Sequence, residues 1–222
     1  MHRLVVRSIP ALAAGLFAGL LVAGPTSAPA HAAETYSAPL QTAISGLPVA
    51  TEVRTGYTRD QFRHWVDADG DGCDTRDEVL IAESLDPVTV GSSCSLSGGR
   101  WYSYYDRRTW TDRGRIDIDH LVPLAEAWDS GARTWTAGTR ERYANDLGDP
   151  RTLIGVTDSV NQSKGDQDPA EWTPQYGTCR YVRQWVAVKH RWRLSVNRAE
   201  RRTLRSLSSG CGNARITVTL AR

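Results

Sequence analysis

The stretch IDIDHLVP, residues 116–123, decides the reading of this chain. Apolar and acidic side chains alternate up to His120, the period-two pattern of a strand with one buried face. Pro123 then blocks further ladder pairing. Downstream, LIGV (153–156) reads as a second short strand and SVNQSKG (159–165) as the start of a helix. Two strands and a helix between Ile116 and Lys164 make a unit with Asp119 and His120 on its first strand and Asn161 in its helix.

Those residue types suit phosphodiester hydrolysis. The reaction needs a base to deprotonate water and a cation to neutralise the phosphate and the leaving oxygen. His120 can supply the base. Asp119 and Asn161 are hard oxygen donors, better matched to Mg²⁺ or Mn²⁺ than a thiolate or imidazole site would be.

Upstream, the loop DADGDGCDTRDE (67–78) places Asp67, Asp69, Asp71, Gly72 and Glu78 in the pattern D-x-D-x-D-G-x5-E of a calcium loop. Asp74 stands where such loops carry an apolar residue. A structural Ca²⁺ site and a solvated acidic turn both remain open. His64 and His190 lack a motif and read as structural or exposed.

Four cysteines, Cys73, Cys94, Cys179 and Cys211, lack the C-x-x-C spacing of a zinc site. Two disulfides are expected. Of the three connectivities, Cys73–Cys94 and Cys179–Cys211 are favoured because each pair brackets a compact stretch. Residues 1–32 carry Arg3 and Arg7, an apolar run interrupted by Pro10, and an A-x-A site at Ala30–Ala32, the signature of a signal peptide. The run falls short of the roughly 20 residues a bilayer span needs. A secreted, extracellular protein is expected, without membrane association after cleavage and monomeric by default.

Without Arg3 and Arg7 the basic and acidic side chains balance, so net charge excludes no class of partner. Distribution is more telling, because Glu200 is the single acid after residue 175 and the tail is otherwise basic. Cys179–Leu194 reads as an amphipathic helix with Val182, Trp185, Val186, Lys189 and Trp192 on one face. A further helix spans Asn197–Leu207, and Ile216–Leu220 alternates like an edge strand. Arg183, Arg191, Arg193, Arg201 and Arg202 are candidates for phosphate contact. Residues 33–46, small and polar, read as a flexible lead-in to a domain spanning 47–222. Short helices are expected over 57–65, with Thr58 as N-cap, over 79–85 and over 124–128. Another over 139–147 would be capped by Thr139.

The segments IDIDHLVPLAEAWDSGA (116–132) and NDLGDPRTLIGVTDSVNQSKGDQDPAEW (145–172) resemble the HNH nuclease superfamily and its ββα-metal motif. They are most similar to secreted actinobacterial HNH endonuclease family proteins of the DUF1524 group. DIDHLVP also resembles the equivalent strand of the HNH domain in CRISPR effector nucleases. The resemblance implies that Asp119 is the first metal ligand, His120 the general base and Asn161 the ligand from the helix. Lys164 and Asp166 would touch phosphate or brace the loop. Thr152 stands where many HNH proteins carry the Asn or His that orients the base, so a backbone carbonyl, Thr152 or Asn145 would hold the imidazole.

The expectation is an α+β fold, with an HNH ββα-metal core (about 115–166) in a mixed, helix-rich single domain. Its function would be a divalent-metal-dependent endonuclease acting on nucleic acid, DNA in first place, with little sequence specificity. The alternatives are a weak or inactive HNH-like, calcium-binding extracellular interaction protein and a phosphodiesterase of small substrates.

Overall fold

The computed structural model describes residues 33–221, and the expected leader over 1–32 lies outside them. Strand β1 (Thr35–Pro39) runs straight into helix α1 (Leu40–Gly46) and pairs antiparallel with the last strand, Arg215–Thr219, with Ala38 opposite Ile216. The flexible lead-in expected over 33–46 is therefore corrected. Leu40, Ala43 and Ile44 recur at helical spacing and are fully buried. Small neighbouring side chains hid that pattern among polar residues.

The helix expected over 57–65 shrinks to one 3-10 turn, Arg59–Gln61, preceded as expected by Thr58 at its N-cap position. Helix α2 (Thr75–Glu83) starts at Asp74, whose side chain accepts from the Asp77 amide. Two short hairpins follow, β2 (Val88–Val90) with β3 (Leu96–Gly98) and β4 (Trp101–Ser103) with β5 (Arg108–Trp110).

Strand β6 (Ile116–His120) pairs antiparallel with β7 (Leu153–Thr157), setting Asp119 opposite Ile154 and His120 opposite Leu153. Between them lie α3 (Leu124–Asp129) and α4 (Ala137–Ala144). The cap of α4 is Thr136, which accepts from the Thr139 amide, so the helix begins and ends earlier than the sequence implies. Helix α5 (Asp158–Lys164) leaves β7 without a loop. The basic tail forms α6 (Thr178–Arg191), α7 (Arg198–Ser208) and β8 (Arg215–Thr219).

Alternation along the β6–β7 pair divides two cores. Ile116, Ile118 and Leu153 pack with Leu80 and Trp101 in a small core, whereas Ile154 and Val156 join the large core around Trp185 of α6. Apolar packing thus clamps the strand pair on both faces, which makes it a rigid base for the polar side chains at its end. Disulfides join Cys73 to Cys94 and Cys179 to Cys211, the favoured connectivity. No described helix is long and apolar enough to cross a membrane. The whole is a mixed α+β arrangement with small antiparallel sheets.

Candidate active site

Where β6 ends, Asp119, His120 and Asn161 line one small cavity of about 200 Å³ together with Arg59, Pro123, Gln162, Gly165 and Asp166. Residues some 40 positions apart are brought there because α5 follows β7 directly and lies against β6. Asn161 and Lys164, three apart, share one side of that helix. Asn161 Nδ2 donates to Asp117 Oδ2 at 3.3 Å, and Lys164 Nζ donates to Asp119 Oδ1 and Oδ2 at 2.6 and 2.8 Å. Gly165, at φ 52° and ψ −131°, adopts a positive-φ conformation that glycine reaches most readily and ends α5 at the cavity wall.

His120 is buried, and its Nε2 lies 2.8 Å from the Ala144 carbonyl. Ala144 is the last residue of α4, where carbonyls lack an intrahelical donor. A carbonyl only accepts, so Nε2 carries the proton and Nδ1 keeps its lone pair. Burial depresses the imidazole pKa to about 3, against a smaller opposing effect of the Ala144 hydrogen bond. The ring is therefore a neutral acceptor throughout the physiological range.

Two expectations for the orienting group are corrected by these contacts. Thr152 Oγ1 donates instead to Asp146 Oδ2 at 2.9 Å, and its role at the end of the β6–β7 pair is through its backbone carbonyl, which accepts from Leu121. Asn145 braces the loop before α2, accepting from Val66 N and Thr75 Oγ1 and donating to the Arg63 and Glu141 carbonyls. Of the three candidates the backbone carbonyl is the one that holds His120.

Asp119 is buried between Lys164 and the Tyr105 hydroxyl, which donates to Oδ2 at 2.7 Å. Burial raises its pKa even though Lys164 and Tyr105 pull it down. Lys164 is completely buried and also donates to the His120 carbonyl at 3.1 Å. The phosphate contact expected of Lys164 is thus corrected: the ammonium is an internal counter-ion to Asp119. As a donor set, one carboxylate and one carboxamide oxygen beside a polar cavity suit a hard divalent cation. Such a cation would share Asp119 with the ammonium.

The tail arginines lie elsewhere, and none lines this cavity. Arg191 is buried against Asp146, with two contacts of 2.6 and 2.7 Å, so the phosphate role expected of it is also corrected. Arg193 pairs with Glu34 at 2.7 Å, Arg183 donates to the Gly212 carbonyl at 3.1 Å, and Arg201 and Arg202 project from α7. In the acidic loop, Asp67, Asp69 and Asp71 converge within ligand distance of one another, and Asp71 lies equally close to Glu78. Burial first, then Asp71, Asp69 and Asp67, raises the Glu78 pKa. His64 and His190 are tied to the Phe62 and Ala43 carbonyls at 2.9 Å, as structural histidines would be.

Arg59 and Tyr105 are the site groups that sequence reasoning missed, and the backbone carbonyl it offered for His120 was not assigned to Ala144. Arg59 and Tyr105 precede the motif with no fixed spacing to it, and a backbone carbonyl has no residue-type signature.

A neutral imidazole, a buried carboxylate and a carboxamide thus line one cavity. Over residues 74–207 the chain matches the family described as GmrSD restriction endonucleases, C-terminal domain, and it belongs to that nuclease-related family. The match spans Asp119, His120 and Asn161 and leaves Asp67, Asp69 and Asp71 outside. The chain is 46% identical over 174 residues to a protein of Arthroderma benhamiae described as an uncharacterized secreted protein, covering 77% of this chain and 84% of that one. No solved structure matches it.

Proposed function

We propose that this chain is a secreted, divalent-cation-dependent endonuclease of the HNH type, hydrolysing phosphodiester bonds of nucleic acid, DNA foremost, with little sequence preference. The observation that carries the reading is the cavity shared by Asp119, His120 and Asn161, with His120 Nδ1 left as an acceptor. Membership of a nuclease-related family and the secreted relative support it, and two disulfides suit an oxidising compartment.

In this reading β6, β7 and α5 form the ββα-metal unit. Asp119 and Asn161 hold Mg²⁺ or Mn²⁺, which when bound supplies positive charge to the scissile phosphate and its leaving oxygen. His120 Nδ1 takes the proton from the attacking water, while the Ala144 carbonyl fixes the ring's tautomer and angle. Arginines of the tail, the exposed Arg193 and Arg202 and the partly exposed Arg201 among them, offer sequence-independent contacts to the phosphate backbone.

Plasmid incubated with the purified protein and Mg²⁺ or Mn²⁺ is expected to be nicked or linearised, and chelator is expected to stop it. His120→Ala should lose about 10²- to 10⁴-fold in rate while circular dichroism shows that the protein is still folded at the assay temperature. Cleavage that survives both chelator and the substitution would reject the mechanism.

A second reading rests on the grouping of Asp67, Asp69 and Asp71, with Glu78 close to Asp71, and on the closed Asp119–Lys164 pair. In it, the chain is an extracellular calcium-binding interaction protein with a weak or inactive HNH-like centre. Calorimetric Ca²⁺ binding lost in Asp69→Asn, together with no plasmid cleavage under any divalent cation, would favour it.

A further inference from the structure

We infer that Arg59 is the residue that grips the scissile phosphate, through its guanidinium, in the reaction proposed above; the inference rests on that nuclease reading. Arg59 lines the cavity with Asp119, His120 and Asn161, is exposed, and has no ion pair among the described residues. The other cations around the site are committed. Lys164 is spent on Asp119, Arg54 contacts Asp129 and Asp166 at 2.7 and 3.5 Å, and Arg63 lies 3.7 Å from Glu141. An anionic diester entering beside Asp119 and Asp166 meets repulsion from their carboxylates, so an uncommitted cation on the cavity wall is what makes entry favourable.

The side chain is also held on a firm base. It projects from the 3-10 turn Arg59–Gln61, closed by Gln61 N to Thr58 O at 3.1 Å and Phe62 N to Arg59 O at 3.0 Å. Phe62 is fully buried, with its ring against Tyr57, Trp128 and Tyr143 at 6.1 to 6.4 Å. Arg140 Nε holds the Gln61 carbonyl at 3.0 Å. A turn anchored on both flanks keeps the start of the side chain fixed, which limits the ordering cost when the phosphate binds. A guanidinium fork matches two phosphate oxygens, and charge building on them during attack makes its contacts stronger in the transition state than in the ground state.

The test uses the mature protein with plasmid and Mg²⁺, comparing wild type, Arg59→Ala, Arg59→Lys, Arg63→Ala and His120→Ala. Arg59→Ala is expected to lose about 10²-fold in kcat/KM, mostly in kcat, with an unchanged melting curve. Arg59→Lys should fall between it and wild type, since it keeps the charge and loses the fork. Arg63→Ala, removing a cation of the same loop that does not line the cavity, should cut at the wild-type rate. A labelled duplex titrated in chelator onto His120→Ala, with and without Arg59→Ala, should lose about one unit of the salt slope of its affinity. If wild type cuts, His120→Ala does not, and Arg59→Ala stays within about threefold of wild type, the role of Arg59 is overturned and the nuclease reading stands. If wild type does not cut, the nuclease reading falls and the inference goes with it.

Discussion

Two lysines, Lys164 and Lys189, are both buried to the last atom, yet their surroundings treat them differently. Lys189 contacts Glu126 at 2.5 Å and Glu200 at 3.2 Å, and also donates to Ser130 Oγ and the Ser195 carbonyl. Burial would lower its pKa, but two carboxylates outweigh that and hold it above the usual lysine value. Lys164 has Asp119 alone as its close carboxylate partner, and Tyr105 competes for that group. Burial wins there, and its pKa is lowered. The difference separates a charge locked between two carboxylates in the core from one that has Asp119 as its single carboxylate partner and otherwise only the His120 carbonyl, which makes the Lys164 pair the more open to rearrangement.

The largest expected effect tests the locked charge. Lys189→Met leaves Glu126 and Glu200 buried without a cation, and breaking a buried network of this kind costs about 3–5 kcal/mol. Chemical denaturation should show that loss, while the molecules that remain folded should keep wild-type nuclease turnover. Lys164→Met is expected to cost less, about 1–3 kcal/mol, because Tyr105 still donates to Asp119 and the carboxyl can take up a proton. Its turnover at saturating Mg²⁺ should nevertheless fall at least about tenfold, since Asp119 loses the group that aims it. Equal stability losses, or a Lys164→Met protein of full turnover, would break the comparison.

The same contrast marks what could be read in the sequence. Lys189 falls on the apolar face of its helix beside Val182, Trp185 and Val186, and that placement already signals a lysine needing internal partners. The partners themselves, on α3 and α7, are set by tertiary packing and leave no local trace. Lys164 belongs to the stretch that also carries Asn161, and the family resemblance placed it in the motif's flank; that did not say whether the ammonium faces phosphate or Asp119. Asp119, His120 and Asn161 were legible because two strands and a helix fix their relative positions. Arg191 was misread for a related reason: one residue beyond a clear helical face, it turns inward to Asp146, whose charge the periodicity of α6 does not reveal. The first strand and helix escaped notice because Ala38 and Ala43 bury little surface each, so the pattern was weak even though β1 completes the sheet with β8.

Glu83 sharpens the comparison at its small end, being a half-buried acid without any ion-pair partner among the described residues. Its Oε2 accepts from the Gly155 amide of β7 at 2.6 Å, and that bond, with Arg180 more distant, only partly offsets burial, leaving the pKa at about 7. A carboxyl whose folded pKa lies above its unfolded value of 4.5 binds more protons in the folded state between those two values. Stability contributed by this group is therefore fully present below pH 4.5 and declines as pH rises through 7. Glu83→Gln keeps an oxygen to accept from Gly155 and removes the charge, so it should raise stability at pH 8 by about 1–2 kcal/mol relative to wild type and do nothing below pH 4.5. Thermal melts across that range measure it, and parallel curves at every pH would mean that Glu83 stays ionised and that a lone backbone donor is enough to bury a carboxylate here.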